Sequence, residues 1–260
     1  MKITGTMILR NAVKLGYPFD LAIRSLRPLC DEVIILVDPN SEDDTLDRVL
    51  NLNPDVIVES PWDMTNHKGH TNCEISLQTE TVCNEASGDW VFSLQADEVL
   101  HEGEVPRLRT AALEAQSRGV SGLELVRLYF YGSLSQYRTD WTIPMVRFFK
   151  RGAWKPDVDG AMRFDPCTPY ERKHMVPDAC IYHYSRVGDP QMIAERVRNL
   201  DGFFHEPERI EQGAVQPYDF SSLRKLDTYV IGSTPVEEGR ASLADFPLEG
   251  HPKGVVERFS

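Results

Sequence analysis

The chain has little that would tie it to a metal array, a membrane or a polyanion. Its five cysteines, Cys30, Cys73, Cys83, Cys167 and Cys180, are odd in number and widely scattered. They form no Cys-x-x-Cys pair and no zinc-type array of Cys and His, so free thiols in a reducing compartment are expected. Long apolar runs are missing too. The longest aliphatic stretch is Val33-Ile-Ile-Leu-Val37, far short of the roughly 20 residues of a membrane span. MKITGTMILRN at the N-terminus lacks the features of a secretory signal. Positive charge is in deficit: 28 Lys and Arg against 40 Asp and Glu leave a formal charge of −12, which opposes non-specific attraction to phosphate backbones or anionic lipid. No internal repeat or low-complexity tract appears, which excludes solenoids. The expectation is a cytoplasmic protein without an integral membrane segment, meeting any membrane only peripherally.

What the chain does have is enough apolar material for a core, 41% of 260 residues, arranged in alternating patterns. Residues 3 to 9, ITGTMIL, predict a strand that ends at Arg10-Asn11. Phe19, Ala22, Ile23 and Leu26 then follow the spacing of an amphipathic helix. Glu32 to Val37 is nearly all aliphatic, as a strand buried on both faces should be. It stops at the turn cluster Asp38-Pro39-Asn40-Ser41, before helical spacing from Thr45 to Leu50 and a third strand from Pro54 to Glu59. This alternation predicts right-handed crossovers and a doubly wound, Rossmann-type sheet.

A helix from Glu74 to Ala86 leads into the strand Trp90 to Leu94, and another helix spans Val105 to Arg118. Leu123 to Tyr131 and Pro144 to Lys150 read as longer antiparallel strands, with a loop from Arg151 to Pro169 after them. Ala179 to Tyr184 reads as a short final strand and Met192 to Phe204 as a helix. Residues 1–188 are therefore expected to form one α/β domain, and 189–260 a helical and irregular extension packed loosely on it.

Ligands of doubly wound sheets collect at the carboxyl ends of the strands. Arg10-Asn11, Asp38 and Gln95-Ala96-Asp97-Glu98 each follow a predicted parallel strand directly, so polar groups from three chain regions should converge on one rim. An Asp in such a place also has a bland use, capping the next helix or fixing a turn.

The order of these features resembles the family 2 glycosyltransferases of GT-A fold. The resemblance rests on Leu9-Arg10-Asn11, on Val37-Asp38-Pro39-Asn40-Ser41-Glu42-Asp43-Asp44-Thr45, and on Gln95-Ala96-Asp97-Glu98 preceded by Gly88-Asp89-Trp90. It runs from about residue 3 to about residue 185. Two departures stand out: Gln95 occupies the first place of the Asp-x-Asp-type motif, and Ala12 follows Arg10-Asn11 where an acid is usual. The fold implied is GT-A-like α/β, with a mostly parallel sheet, flanking helices and a small antiparallel acceptor-side sheet. The implied activity is inverting transfer of a sugar from a nucleoside diphosphate, a UDP-sugar above all, to an acceptor hydroxyl.

By the same resemblance Arg10, Asn11, Asp38, Gln95, Ala96 and Asp97 contact the nucleotide-sugar. Asp97 and His183, in Tyr182-His-Tyr184, hold Mn2+ or Mg2+. A cation there would neutralise the departing diphosphate, and an imidazole ligand leans toward Mn2+. The base that takes the acceptor proton is expected at Asp159, with Asp157 and Glu98 as alternatives. Lys68, in the polar loop His67-Lys-Gly-His70, could close over phosphates. Trp62, Trp141 and Trp154 offer sugar-stacking faces, with Trp154 placed at the acceptor. For each of these a packed core ring or an ordinary surface loop is the plain alternative.

The basic run Arg147, Lys150, Arg151, Lys155 reads either as a solvated face or as a neutraliser of phosphate. The acceptor stays open among glycan, lipid-linked glycan, protein and modified nucleic acid. Two other functions compete: a non-catalytic nucleotide-sugar-binding module, suggested by Gln95, and a nucleotidyltransferase. The latter normally carries a Gly-rich loop after the first strand, whereas Arg10 to Gly16 contains one Gly.

Overall fold

The computed structural model describes residues 1–65, 73–140, 144–157, 164–204, 216–220 and 243–260. Asp159, Lys68, His67, His70 and Trp141 lie outside the described residues. The protein is α/β, built on a sheet with a parallel half and an antiparallel half. In the parallel half, β1 (Ile3–Leu9) lies between β2 (Glu32–Val37) and β4 (Trp90–Ser93), with β3 (Val56–Glu59) beyond β2. The connecting helices are α1 (Phe19–Leu26), α2 (Thr45–Leu52) and α3 (Glu74–Asn84). The apolar stripe of α1, Phe19, Ala22, Ile23 and Leu26, is buried as its spacing requires. This half has the doubly wound, Rossmann-type arrangement expected of a GT-A-like chain.

Beyond β4 the direction changes. β8 (Pro144–Lys150) pairs antiparallel with β4 and with β6 (Gly122–Tyr131), which follows α4 (Val105–Ser117). β11 (Lys173–Arg186) runs parallel to β6. It is 14 residues long, where a short strand from Ala179 was expected, because β6 pairs with it back to Lys173. Four other strands carry no pattern strong enough to announce them. β5 (Glu98–Leu100) pairs antiparallel with β11, and β7 (Gln136–Arg138) pairs with β6. The expected loop after β8 contains the two-stranded antiparallel sheet of β9 (Trp154–Pro156) and β10 (Phe164–Pro166).

The described part of the C-terminal region packs on this body. After α5 (Pro190–Phe204), β12 (Leu243–Asp245) pairs with β7, and α6 (Val255–Phe259) buries Val255. His251 is buried, its ring nitrogens 2.9 Å from the Tyr184 hydroxyl and 2.8 Å from the Leu134 carbonyl. No helix among the described residues is long and apolar enough to cross a membrane.

Candidate functional site

The first part of the rim is the junction of β1 and β2. Arg10 Nε donates to Asp38 Oδ2 at 3.0 Å, and Asp38 Oδ1 accepts from the Asn40 amide at 2.9 Å. Asn11 adopts a left-handed backbone, φ 50°, which an Asn side chain tolerates when it bonds locally. Its Oδ1 accepts from the Glu42 amide at 2.7 Å, and its own amide donates to Ser41 Oγ at 3.2 Å. Thr45 Oγ1 takes the Ala12 amide at 2.8 Å. Asp38 is buried, and this web of turn bonds positions it. The resembled Asp-x-x-Ser-x-Asp-x-Thr pattern is thus also the pattern that clasps two loops together.

The second part is the turn after β4. The Glu98 amide donates to the Gln95 carbonyl at 3.0 Å, and the Gln95 amide returns to Glu98 Oε2 at 3.0 Å, closing a four-residue turn with Ala96 and Asp97 between. Pairing of β5 with β11 sets Glu98 opposite His183, and Tyr184 N donates to the Asp97 carbonyl at 2.9 Å. These main-chain bonds bring the Asp97 side chain to His183: Oδ2 lies 3.4 Å from Nε2. Two residues far apart in the chain thus face each other.

Their charge states follow from the surroundings. Burial, with Glu98 as a second negative neighbour, raises the Asp97 carboxyl to about 6. Burial holds His183 well below the usual imidazole value, helped by the charges of Arg127, Arg186, Arg147 and Arg196. At pH 7 the pair is therefore a carboxylate beside a neutral imidazole. The ring stacks on Tyr129, with centroids 4.7 Å apart, and Nδ1 faces Ser185 Oγ at 3.4 Å.

Such an oxygen donor and a neutral nitrogen donor fit a divalent ion of the Mn2+ kind. Among the described residues no group of three His, Cys, Asp or Glu gathers to hold a metal ion. Were such an ion bound here, Asp97 and His183 are the two donors that the described residues would bring to it.

Glu98 is fully buried, and its Oε1 accepts from Arg147 NH2 at 2.9 Å, with Arg127 NH1 at 3.8 Å. Both carboxylate oxygens are engaged, so its work is to hold the turn. Arg147, grouped by sequence with an exposed basic run, is 1% exposed, whereas Lys150, Arg151 and Lys155 are on the surface. Arg127 is buried in β6 in the same way. A lone Arg inside an apolar strand, Met-Val-Arg147-Phe-Phe or Leu-Val-Arg127-Leu-Tyr, is the signal that marks a buried cation, and neither was singled out as one from the sequence.

Trp154 is buried against Phe149 and Phe164, and its indole N–H donates to Ser121 Oγ at 3.0 Å. Gly122 leaves it room, since a Cβ there would lie 2.6 Å from the ring. The acceptor-stacking role expected of Trp154 is replaced by a core role. Trp62 packs edge-on against Phe203. Asp157 is buried, and its carbonyl accepts from Ser76 Oγ at 2.7 Å.

No protein-family model and no curated protein matches the chain. Solved structures similar to it include S. aureus TarS 1–349 (TM-score 0.44, 14% identity, 77% of this chain and 64% of that one) and the same protein in complex with UDP (TM-score 0.42, 16% identity, 77% and 64%). Glucosyl-3-phosphoglycerate synthase from Mycobacterium tuberculosis, in complex with Mn2+, UDP-Glc and phosphoglyceric acid, is similar over 50% of this chain and 44% of its own (TM-score 0.33, 20% identity). The chain spans less than two thirds of each of these structures. At such scores the likeness carries no functional weight.

Proposed function

We propose that the chain is a glycosyltransferase that moves a sugar from a nucleoside-diphosphate-sugar, with UDP as the base-bearing part, to an acceptor hydroxyl with inversion. The observation that carries the reading is the Asp97–His183 pair, delivered by the Gln95–Glu98 turn to the rim where Arg10, Asn11 and Asp38 also end. Asp38 and the Arg10-Asn11 turn form the nucleotide side. Gln95 and Ala96 border the sugar, Gln95 offering a carboxamide to hydroxyls without adding charge. Asp97 and His183 would hold Mn2+ or Mg2+, which supplies charge neutralisation to the leaving diphosphate. Asp159, or Asp157 on the same segment, takes the acceptor proton, and Lys68 closes over the phosphates. Glu98 positions Asp97 and is not the base, because Arg147 and the Gln95 amide occupy its oxygens.

The test is donor turnover with Mn2+ across a panel of nucleotide sugars, in wild type and Asp97→Ala. Loss of turnover with folding intact supports transfer. Equal turnover in both proteins overturns the role of Asp97. Nucleotide-sugar binding with no turnover under any acceptor favours the binding-module reading, to which the neutral Gln95 side chain also points.

A further inference from the structure

Among the described residues the cations around His183 outnumber the acids paired with them. Arg186 follows His183 on the same strand, next to the Ser185 hydroxyl that faces the His183 ring, and Arg127 lies over Tyr129, the ring stacked on His183. Glu98 is shared between Arg147 and Arg127. Arg196 is spent on main-chain carbonyls: Nε on Leu15 at 2.6 Å, NH2 on Gly16 at 2.7 Å, NH1 on Val187 at 3.2 Å and on Ser185 at 3.3 Å. Arg186, at the end of β11 and 7% exposed, has no carboxylate within ion-pair distance among the described residues. Its guanidinium lies against Tyr218, 5.4 Å from the ring centre, and donates a hydrogen bond to the Tyr218 hydroxyl, while its buried Nε has no hydrogen-bond partner among the described residues.

The Nε of Arg127 is likewise buried and unpartnered. Tyr129 links the two arginines: Arg127 lies over its ring at 5.7 Å, and its hydroxyl accepts from Ser185, the neighbour of Arg186, at 3.0 Å. Arg127 has only a share of Glu98 at 3.8 Å, and a buried guanidinium left without an anion, as Arg186 is among the described residues, is strongly unfavourable. Its planar fork of donors matches the oxygens of a phosphate better than any other side chain does.

We propose that Arg127 and Arg186 form an oxyanion subsite beside the Asp97–His183 pair, which takes a phosphate or diphosphate group of a substrate and needs no divalent cation to do so. The subsite stands on its own geometry. Its assignment to a substrate rests on the sugar-transfer reading: the oxyanion is either the diphosphate of the donor or an anionic group on the acceptor.

The experiment uses the full chain in buffer stripped of divalent cations, titrated by calorimetry and thermal shift with inorganic pyrophosphate, UDP and glycerol phosphate. At least one of them is expected to bind and to raise Tm by mass action. Arg186→Gln is expected to weaken that binding by about tenfold or more. Arg186→Met is expected to raise Tm of the ligand-free protein, because an unpaired buried charge is gone, and to erase the ligand-induced shift. Should that variant fail to fold, Arg186→Lys keeps the charge and removes the fork, and its binding should fall between wild type and Arg186→Gln.

Displacement of pyrophosphate by UDP assigns the subsite to the donor, whereas glycerol phosphate binding alongside saturating UDP assigns it to the acceptor. No binding of any of the three without metal, or unchanged binding in Arg186→Gln and Arg186→Lys, overturns the proposal. Turnover of a nucleotide sugar together with that negative result leaves the transferase reading standing alone. Arg186-dependent pyrophosphate binding without any nucleotide binding or turnover does the reverse.

Discussion

The two parts of the rim use polar side chains in opposite ways. At the ends of β1 and β2, Arg10, Asn11, Asp38, Ser41 and Thr45 satisfy one another and the local amides. At the end of β11, Asp97 and His183 meet at a loose 3.4 Å and buried guanidinium atoms go unpartnered. The first is a clasp whose bonds are complete before any ligand arrives. The second holds charge that has not been matched, which is what a site for a charged ligand requires. Substitutions of Ser41 and Thr45, which only hold the clasp, should therefore register in stability, and those of Asp97 and His183 in turnover.

The largest effects should come from the groups that support the second part. Glu98→Ala strands Arg147 and Arg127 and should cost about 3–5 kcal/mol in chemical denaturation, with turnover lost as Asp97 loses its turn. Trp154→Ala, which opens a cavity against Gly122, should cost about as much, ~3–5 kcal/mol, yet leave nucleotide affinity of the folded fraction unchanged. If that affinity falls instead, Trp154 belongs to the site after all.

Asp97→Asn should do the opposite to stability. Its carboxyl is raised to about 6 in the folded protein from an ordinary value near 3.8. The folded state thus binds the proton more tightly than the unfolded chain between about pH 4 and 6, so Asp97 makes stability fall as pH rises through that window. Above it the ionised group is a penalty, and the Asn variant should be more stable at pH 7 by about 3 kcal/mol. The two proteins should converge toward pH 4. Urea midpoints measured on both from pH 4 to 8, without metal, test this; parallel curves would remove the buried-charge account. The smallest effect is expected in the clasp: Ser41→Ala removes one acceptor for the Asn11 amide and should cost about 1 kcal/mol, with turnover little changed.

Much of the parallel half could be read in the order of residues. Alternation of Val33–Val37 with the stripe of α1 predicts strand and helix because burial on two faces, or on one stripe, imposes those periods. The rim residues Arg10, Asn11, Asp38 and Asp97 could be placed because each follows such a strand directly. β5, β7, β9 and β10 could not: three residues carry no period, and they are strands because a neighbour offers unpaired main-chain groups. Trp154 illustrates the same limit from the side-chain end, since the vacancy that holds it is Gly122 on another strand.

Local pattern thus determined the strands of the parallel half and which polar residues follow them, since periodicity and turn chemistry act over a few neighbouring residues. Tertiary structure alone decided that the Asp97 carboxylate faces the His183 imidazole, and that Arg147 is spent on Glu98 while Arg186 meets no acid among the described residues. Charge pairing in a buried interior depends on distances between segments far apart in the chain, and no short stretch of sequence contains those distances.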